Sequence, residues 1–584
     1  MEKWNLNALY KGYETPEFKA DIETLKTRID EALEFANTLE SLDNAKDKLI
    51  KYIDLNTSLR SNFLKLYAFV SLQLATNAQD EASNAWMNQM QQLGSKMTPF
   101  NTKISKFVPK LENLNQLIEE TDALKPYQYH LDSIKDRAQY VLSDQEEALI
   151  SKLMQTGSSA WGRLQSLLTS IVEVEFEGQI VTLSDIRNKA HSKDADVRKK
   201  AYEAELLAYK KIDQPVAFSL NGVKGEVNEL SALRGFESPL HEAVYNSRLQ
   251  KKTLDALIAS MRNHLPMFRA YLQRKAELLG HKNGLPWYDL FAPMGSSERT
   301  FTSKEAIDYV VKNFKSFGDD LADLAQKSYD DEWIDFTPRS GKRGGAFCMN
   351  LHPIKQSRIL LNFDGSFSNV ITLAHELGHA YHGDRIFKEA MLNASYTMPV
   401  AETASTLCET IVKKAALSDS EGEEQLFILE QSLMGTTQVI VDILSRFIFE
   451  ENVFEARKKT PLSPEKYNEM MKKAQLEAYG DALDSNFLHP YMWVNKGHYY
   501  SGTLSFYNFP YAFGLLFAKG IYAKFQEKGK GFAQDIDTLL QKTGQMSVED
   551  VASLVGIDVS KEDFWDQSLS VIKEEIDLFL KITA

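Results

Sequence analysis

Cysteine is nearly absent from this chain: 584 residues carry only Cys348 and Cys408. A polypeptide this long with two cysteines has no disulfide framework, which suits a reducing compartment, so a cytoplasmic location is expected. No apolar run approaches the roughly 18 residues that a membrane-crossing helix needs, and none is expected. Met1 to Asn7 contains no apolar core of a secretory signal. Positive charge is also in short supply: 67 Lys and Arg against 81 Asp and Glu leave a net charge of −14. That balance argues against nucleic acid or an anionic membrane as a partner. With no fixed-period repeat and no low-complexity tract, a solenoid is excluded. Length favours two lobes over one simple core.

Helical periodicity is abundant. Apolar residues recur at three- and four-residue intervals over 18–38, 45–55, 59–93 and 144–166, which predicts a helical N-terminal region. From Val172 to Leu183 the period changes to strict alternation around Glu177-Gly178, the pattern of a β-hairpin. Helical spacing returns from Ser184 and marks 254–279, 424–457 and 464–479. The expected fold class is mainly α with a small β element near the functional site. Residues 1–183 form a helical region ending in the hairpin, and 184–584 form the catalytic region.

The chemistry concentrates in His375-Glu376-Leu377-Gly378-His379. Positions i and i+4 share one helix face, so two imidazoles there converge on one metal, and this spacing points to zinc. Glu376 lies roughly 100° round from His375, beside the metal, where a general base belongs. Ser366, Ser368 and Asn369 are N-cap candidates for this helix, and Gly383 is a plausible residue just beyond its end. Catalytic zinc takes three protein ligands and leaves a fourth position for water. The histidine-ended motif would need glycine at 382 and histidine at 385; His382 and Arg385 exclude it. A second predicted helix over 399–409 offers Glu402 and Glu409, seven residues apart on one face. Glu402 is favoured as the third ligand, with Glu409 holding a ligand imidazole by its other nitrogen.

HELGH followed 27 residues after His375 by Glu402, in the context Ala401-Glu402-Thr403-Ala404-Ser405, resembles the thermolysin-like zinc peptidases of the M3 family, oligoendopeptidase F group. Trp287 to Leu290, Gly344 to Cys348, His498 to Tyr500 and Phe506 to Tyr511 carry the same resemblance. It implies a two-lobed helical ellipsoid split by a deep channel, with one zinc on its floor held by His375, His379 and Glu402. The implied substrates are oligopeptides cut at internal bonds. The resemblance also places His498, Tyr507 and Tyr511 along the cleft, where a phenolic O–H aimed at the developing oxyanion stabilises the transition state. Gly344 to Met349 reads as a short strand whose edge could pair with an extended peptide. A non-catalytic peptide-binding protein would have lost a ligand or the base, and all four are present. An exopeptidase would need a charged clamp, for which Arg343, Arg358 and Lys496 are available. Oligomeric state is open.

The ligand assignment separates two variants. Glu402→Ala should lose metal and activity together, whereas Glu409→Ala should weaken zinc by about 10–100-fold. Metal content after dialysis reads the difference, and full zinc occupancy in Glu402→Ala would move the ligand role to Glu409.

Overall fold

The computed structural model describes residues 2–584, and Met1 lies outside them. The chain folds into two compact units, each assembled from three segments. The first gathers Met1–Gln139, Arg299–Ala415 and Lys524–Gly556; the second gathers Tyr140–Glu298, Ala416–Ala523 and Ile557–Ala584. Each unit therefore draws chain from both sides of residue 183. Helices dominate. The strands among the described residues are β1 (Val174–Phe176), β2 (Gln179–Val181), β3 (Ile334–Asp335), β4 (Phe347–Leu351) and β5 (Gln356–Leu360).

In the first unit Thr15 caps the opening helix, Pro16–Thr38, by accepting a hydrogen bond from the Phe18 amide, with Pro16 supplying the fixed φ of a first turn. The pattern predicts separate helices over 45–55 and 59–93, but Ala45–Thr76 is one helix and Glu81–Lys96 another. The polar interruption at Asn56 does not break the first of these. Asn56 is buried and satisfied within the helix, donating to Tyr52 Oη (2.9 Å) and accepting from Arg60 Nε (3.2 Å). These helices pack around Phe18, Leu25, Leu49, Leu55, Phe69 and Phe100. A three-stranded sheet in the order β3-β5-β4 completes the unit, with β3 parallel and β4 antiparallel to β5, and Cys348 opposite Ile359. β4 starts three residues after Gly344, and it is an edge strand, as the predicted peptide-pairing role requires. This sheet packs against the helix that carries the HELGH motif.

The second unit contains the hairpin. Glu177 (φ 50°) and Gly178 (φ 80°) both take left-handed backbone, the two-residue turn that matches strand twist, and Val174 pairs with Val181. The predicted helix over 144–166 is two, Asp144–Thr156 and Ser158–Ile171. Gly157 separates them with a non-helical ψ of −122°, and no larger residue fits there, since a Cβ would sit 2.1 Å from Glu226 Oε2, which accepts from the Ser158 amide at 2.8 Å. Helix Ala195–Leu233 packs on Ser158–Ile171 and on Ile443–Arg457. Gly422–Arg457 runs through a π turn at Gln438–Asp442 and reaches a mean hydropathy of 1.2 in one window, but 72% of that window is buried inside the unit. By length and composition it could cross a membrane; here its apolar face packs against protein.

Charges also sit in this core. Lys275 and Glu430 are fully buried and paired, with the Leu290 carbonyl on the ammonium (3.0 Å) and Tyr271 Oη on the carboxylate (2.8 Å). Removing one partner strands the other in low dielectric, so Lys275→Met should destabilise the protein by about 3–5 kcal/mol. Urea unfolding reads this, and a midpoint equal to wild type would show that Glu430 is relieved by other groups.

Candidate metal centre

The motif helix spans Phe367–Ile386. Ser366 caps it, its Oγ accepting from the Asn369 amide at 3.4 Å, while Asp364 Oδ1 accepts from the Ser366 amide at 2.8 Å. The helix does not stop at Gly383. A Cβ on Gly383 would meet Asn350 Oδ1 at 2.3 Å, so this glycine makes room for β4 rather than ending the helix. The second predicted helix is also interrupted. Met398–Ala401 ends at Glu402, which lies in a turn, and Thr403–Ser418 begins after it. Ser405 Oγ donates to the Glu402 carbonyl (3.1 Å) and to Glu402 Oε2 (2.9 Å), which fixes the carboxylate's direction at this break.

His375, His379 and Glu402 converge. The two Nε2 atoms are 3.1 Å apart, and Glu402 Oε2 lies 3.3 Å from His375 Nε2 and 3.5 Å from His379 Nε2. Zinc bonds of about 2.0–2.2 Å give a tetrahedron with edges of roughly 3.3–3.6 Å, close to this triangle. The tautomers agree with that fit. Glu409 Oε1 lies 2.6 Å from His375 Nδ1, which places the ring proton on Nδ1 and a lone pair on Nε2. Lone-pair donors at such separations repel one another unless a cation sits among them. Glu409 Oε2 accepts from Lys413 Nζ at 2.6 Å. Burial works against the Glu409 charge, but Lys413 and His375 outweigh it and hold its pKa well below the usual carboxylate range.

Glu376 has a different environment. It is 5% exposed, and its Oε2 has no hydrogen-bond partner among the described residues. Burial pushes its pKa up to about 7 against the opposing effect of His375. A buried carboxylate oxygen left without a donor, next to three metal-ligand candidates, fits a water held by a metal there. A dication would draw the pKa back down.

His498, Tyr507 and Tyr511 belong to the second unit and form their own group. Asn508 accepts from Arg446 (3.3 Å) through Oδ1, so its Nδ2 donates to His498 Nε2 at 2.7 Å. Burial first, then Arg446, lowers the His498 pKa to about 3, so the ring is neutral. The Tyr507 and Tyr511 hydroxyls bond to each other at 2.6 Å. The clamp candidates differ in kind. Arg358 is buried and spent on the Asn5 and Ser357 carbonyls, Arg343 is exposed over the Phe347 ring, and Lys496 faces a cavity of the second unit.

Sequence reasoning passed over three residues. Asn350 on β4 donates to the His379 carbonyl (3.1 Å) while Ser357 Oγ donates to its Oδ1 (2.7 Å), and no local pattern announces it. Lys413 was findable, four residues after Glu409 on one helix face. Gly378 was in plain view inside the motif. A Cβ there would lie 2.5 Å from Ser405 Cα and 2.6 Å from the Ala404 carbonyl oxygen, both backbone atoms.

The profile of Peptidase family M3 matches residues 189–571, and that of Oligopeptidase F matches 110–173. The chain is 24% identical to Oligopeptidase PepF of Bacillus subtilis over 552 residues, covering 92% of this chain and 81% of that one. Among solved structures, a protein of Chlamydophila abortus superposes with a TM-score of 0.86 at 21% identity over 99% of this chain and 98% of its own. Oligoendopeptidase-F of Enterococcus faecium gives 0.70 at 18% identity over 97% and 99%.

Gly378→Ala should push the Thr403–Ser418 helix away and spread the donor triangle. A misplacement on this scale costs about 10²-fold in function, so zinc retention on dialysis should fall sharply. Gly344→Ala, where a Cβ meets nothing within 4 Å, is the control. Equal zinc in both variants would show that the helices yield without loss.

Proposed function

Because the chain belongs to peptidase family M3, its profile matching residues 189–571, we propose that it is a zinc metalloendopeptidase acting on internal bonds of short oligopeptides. The observation that carries this reading is the donor triangle of His375 Nε2, His379 Nε2 and Glu402 Oε2 beside the unpartnered Glu376 Oε2. These three residues would hold one zinc per chain. Zinc supplies a Lewis acid for the scissile carbonyl and makes a water acidic enough to attack near neutral pH.

The chain's residues perform the remaining work. Glu376 takes the proton of the attacking water and returns it to the leaving amine, a part its unpartnered Oε2 is free to play. Glu409 keeps the Nδ1 proton of His375 in place, and Lys413 balances the Glu409 charge, so the ligand ring neither flips nor changes tautomer. Tyr507, Tyr511 and neutral His498 serve as hydrogen-bonding groups for substrate and oxyanion, supported by the family's pattern and by their mutual contacts. The outer edge of β4 offers backbone groups to an extended peptide, a mode of binding that reads little sequence. The names of the relatives, oligopeptidase and oligoendopeptidase, support peptide substrates of limited length. The two cysteines support a cytoplasmic location.

Glu376→Gln should keep zinc and lose about 10²–10⁴-fold in kcat, the usual contribution of a general base. A quenched fluorescent peptide blocked at both ends should be cut by the wild type, spared after chelation and cut again once zinc is restored. Cleavage confined to peptides with a free terminus would replace the endopeptidase reading with an exopeptidase one.

A further inference from the structure

The second unit carries a partly open pocket of about 220 Å³, walled by 184–191, the Ala195–Leu233 helix, Trp287 to Phe291, the π turn and 489–496. Part of its polar lining is unspent. Lys496 reaches it with no hydrogen-bond or ion-pair partner among the described residues. His489, 1% exposed, has neither ring nitrogen hydrogen-bonded. A cation so enclosed costs free energy unless an anion meets it, and burial lowers the Lys496 pKa to about 7. Gln438, the first residue of the π turn, also lines the space, and π turns concentrate at functional sites.

The lining specifies a ligand of mixed character. Lys496 and Arg187 are its positive groups outside the Arg198–Asp289 pair (2.7 Å), and Glu205 is its carboxylate. Although burial opposes its charge, His489, Tyr209 and Arg187 keep Glu205 ionised. Arg187 Nε and His489 Nε2 both stand 3.5 Å from Glu205 Oε1. Trp287, Tyr202 and Phe291 supply apolar ring surface. The volume falls below the roughly 300–1,000 Å³ of ordinary ligand pockets, which limits the occupant to about one residue.

We propose that this cavity binds a free α-amino acid with an apolar side chain, its carboxylate on Lys496, its ammonium on Glu205 and its side chain against Trp287. The inference does not rest on the peptidase reading, because Lys496, Glu205 and Trp287 belong neither to the donor triangle nor to the group of Glu376, His498, Tyr507 and Tyr511.

Calorimetric titration of the full-length protein with L-phenylalanine tests it, with acetate and phenethylamine as half-ligands carrying one charge each. L-Phenylalanine should bind, and each half-ligand should bind at least about 10-fold more weakly. Lys496→Met should weaken L-phenylalanine by about 10–100-fold, the loss of one charge-assisted hydrogen bond, with circular dichroism and zinc content unchanged. Should that variant misfold, Ala190→Phe decides instead, since it fills the cavity from its half-buried rim and should abolish binding. Binding should survive in Glu376→Gln and after chelation. The proposal fails if L-phenylalanine gives no heat, if acetate binds as well, if Lys496→Met or Ala190→Phe binds normally, or if chelation removes binding, which would put the amino acid at the metal.

Discussion

Everything at the metal centre depends on how closely two helices approach each other at Gly378. With no Cβ at that point, the motif helix lies against the Ala404-Ser405 backbone, and Glu402 is carried to within 3.3–3.5 Å of both imidazoles. One methyl group would collide with backbone atoms, which cannot rotate away as a side chain can. Gly383 repeats the device one turn and a half further along, where it admits Asn350 of β4. The helix is thus held from two sides at glycines, and its far end is tied by Arg385 to Asp320 and Asp537 at 3.0 and 2.8 Å. A ligand helix gripped in this way presents its histidines at a fixed height and rotation.

Electrostatics explains why the approach has to be so closely controlled. Three carboxylates, Glu376, Glu402 and Glu409, stand around two imidazoles in a largely buried space, and such a cluster is stable only if each charge has a defined counterpart. Glu409 has Lys413 and His375. Glu402 has the hydroxyl of Ser405 and the metal position. Among the three, Glu376 is the one with a buried oxygen that lacks a donor, the feature on which its proposed role as base rests. The same residue type fills three roles because three environments set its charge.

The second unit handles buried charge in two ways. Lys224 with Glu450 and Lys275 with Glu430 are closed pairs, fully enclosed and mutually satisfied. Lys496 is open, turned to a pocket rather than to a partner, and the His489 ring makes no hydrogen bond although its Nε2 stands 3.5 Å from Glu205 Oε1. Closed pairs specify the packing of helices; open groups wait for something from solution. Neutral His498, oriented by Asn508 and Arg446, falls between these, since its partners fix its tautomer and leave its other face to be used.

Much of this was legible in the sequence. The helical periods, the Glu177-Gly178 hairpin, the HELGH spacing and both glutamates of the following segment all depend on residues near one another in the chain, where side-chain geometry follows from backbone period. Two errors came where distant chain decides, a predicted stop at Gly383 that is a niche for Asn350 and a predicted single helix that breaks at Gly157 beside Glu226; the predicted break near Asn56 is repaired locally, by hydrogen bonds to Tyr52 and Arg60. The bond from Asn350 to the His379 carbonyl and the assembly of Trp287 and Lys496 into one pocket left no trace, because the groups that meet there are remote in sequence. The sequence thus determined the helical class and named His375, His379, Glu402 and Glu409 as the candidate donors, all of which are local properties of residue type and spacing. The fold alone settled which carboxylate meets the imidazoles, which stays unpartnered and where a lysine remains unpaired, since contact between remote segments is fixed by packing and not by spacing along the chain.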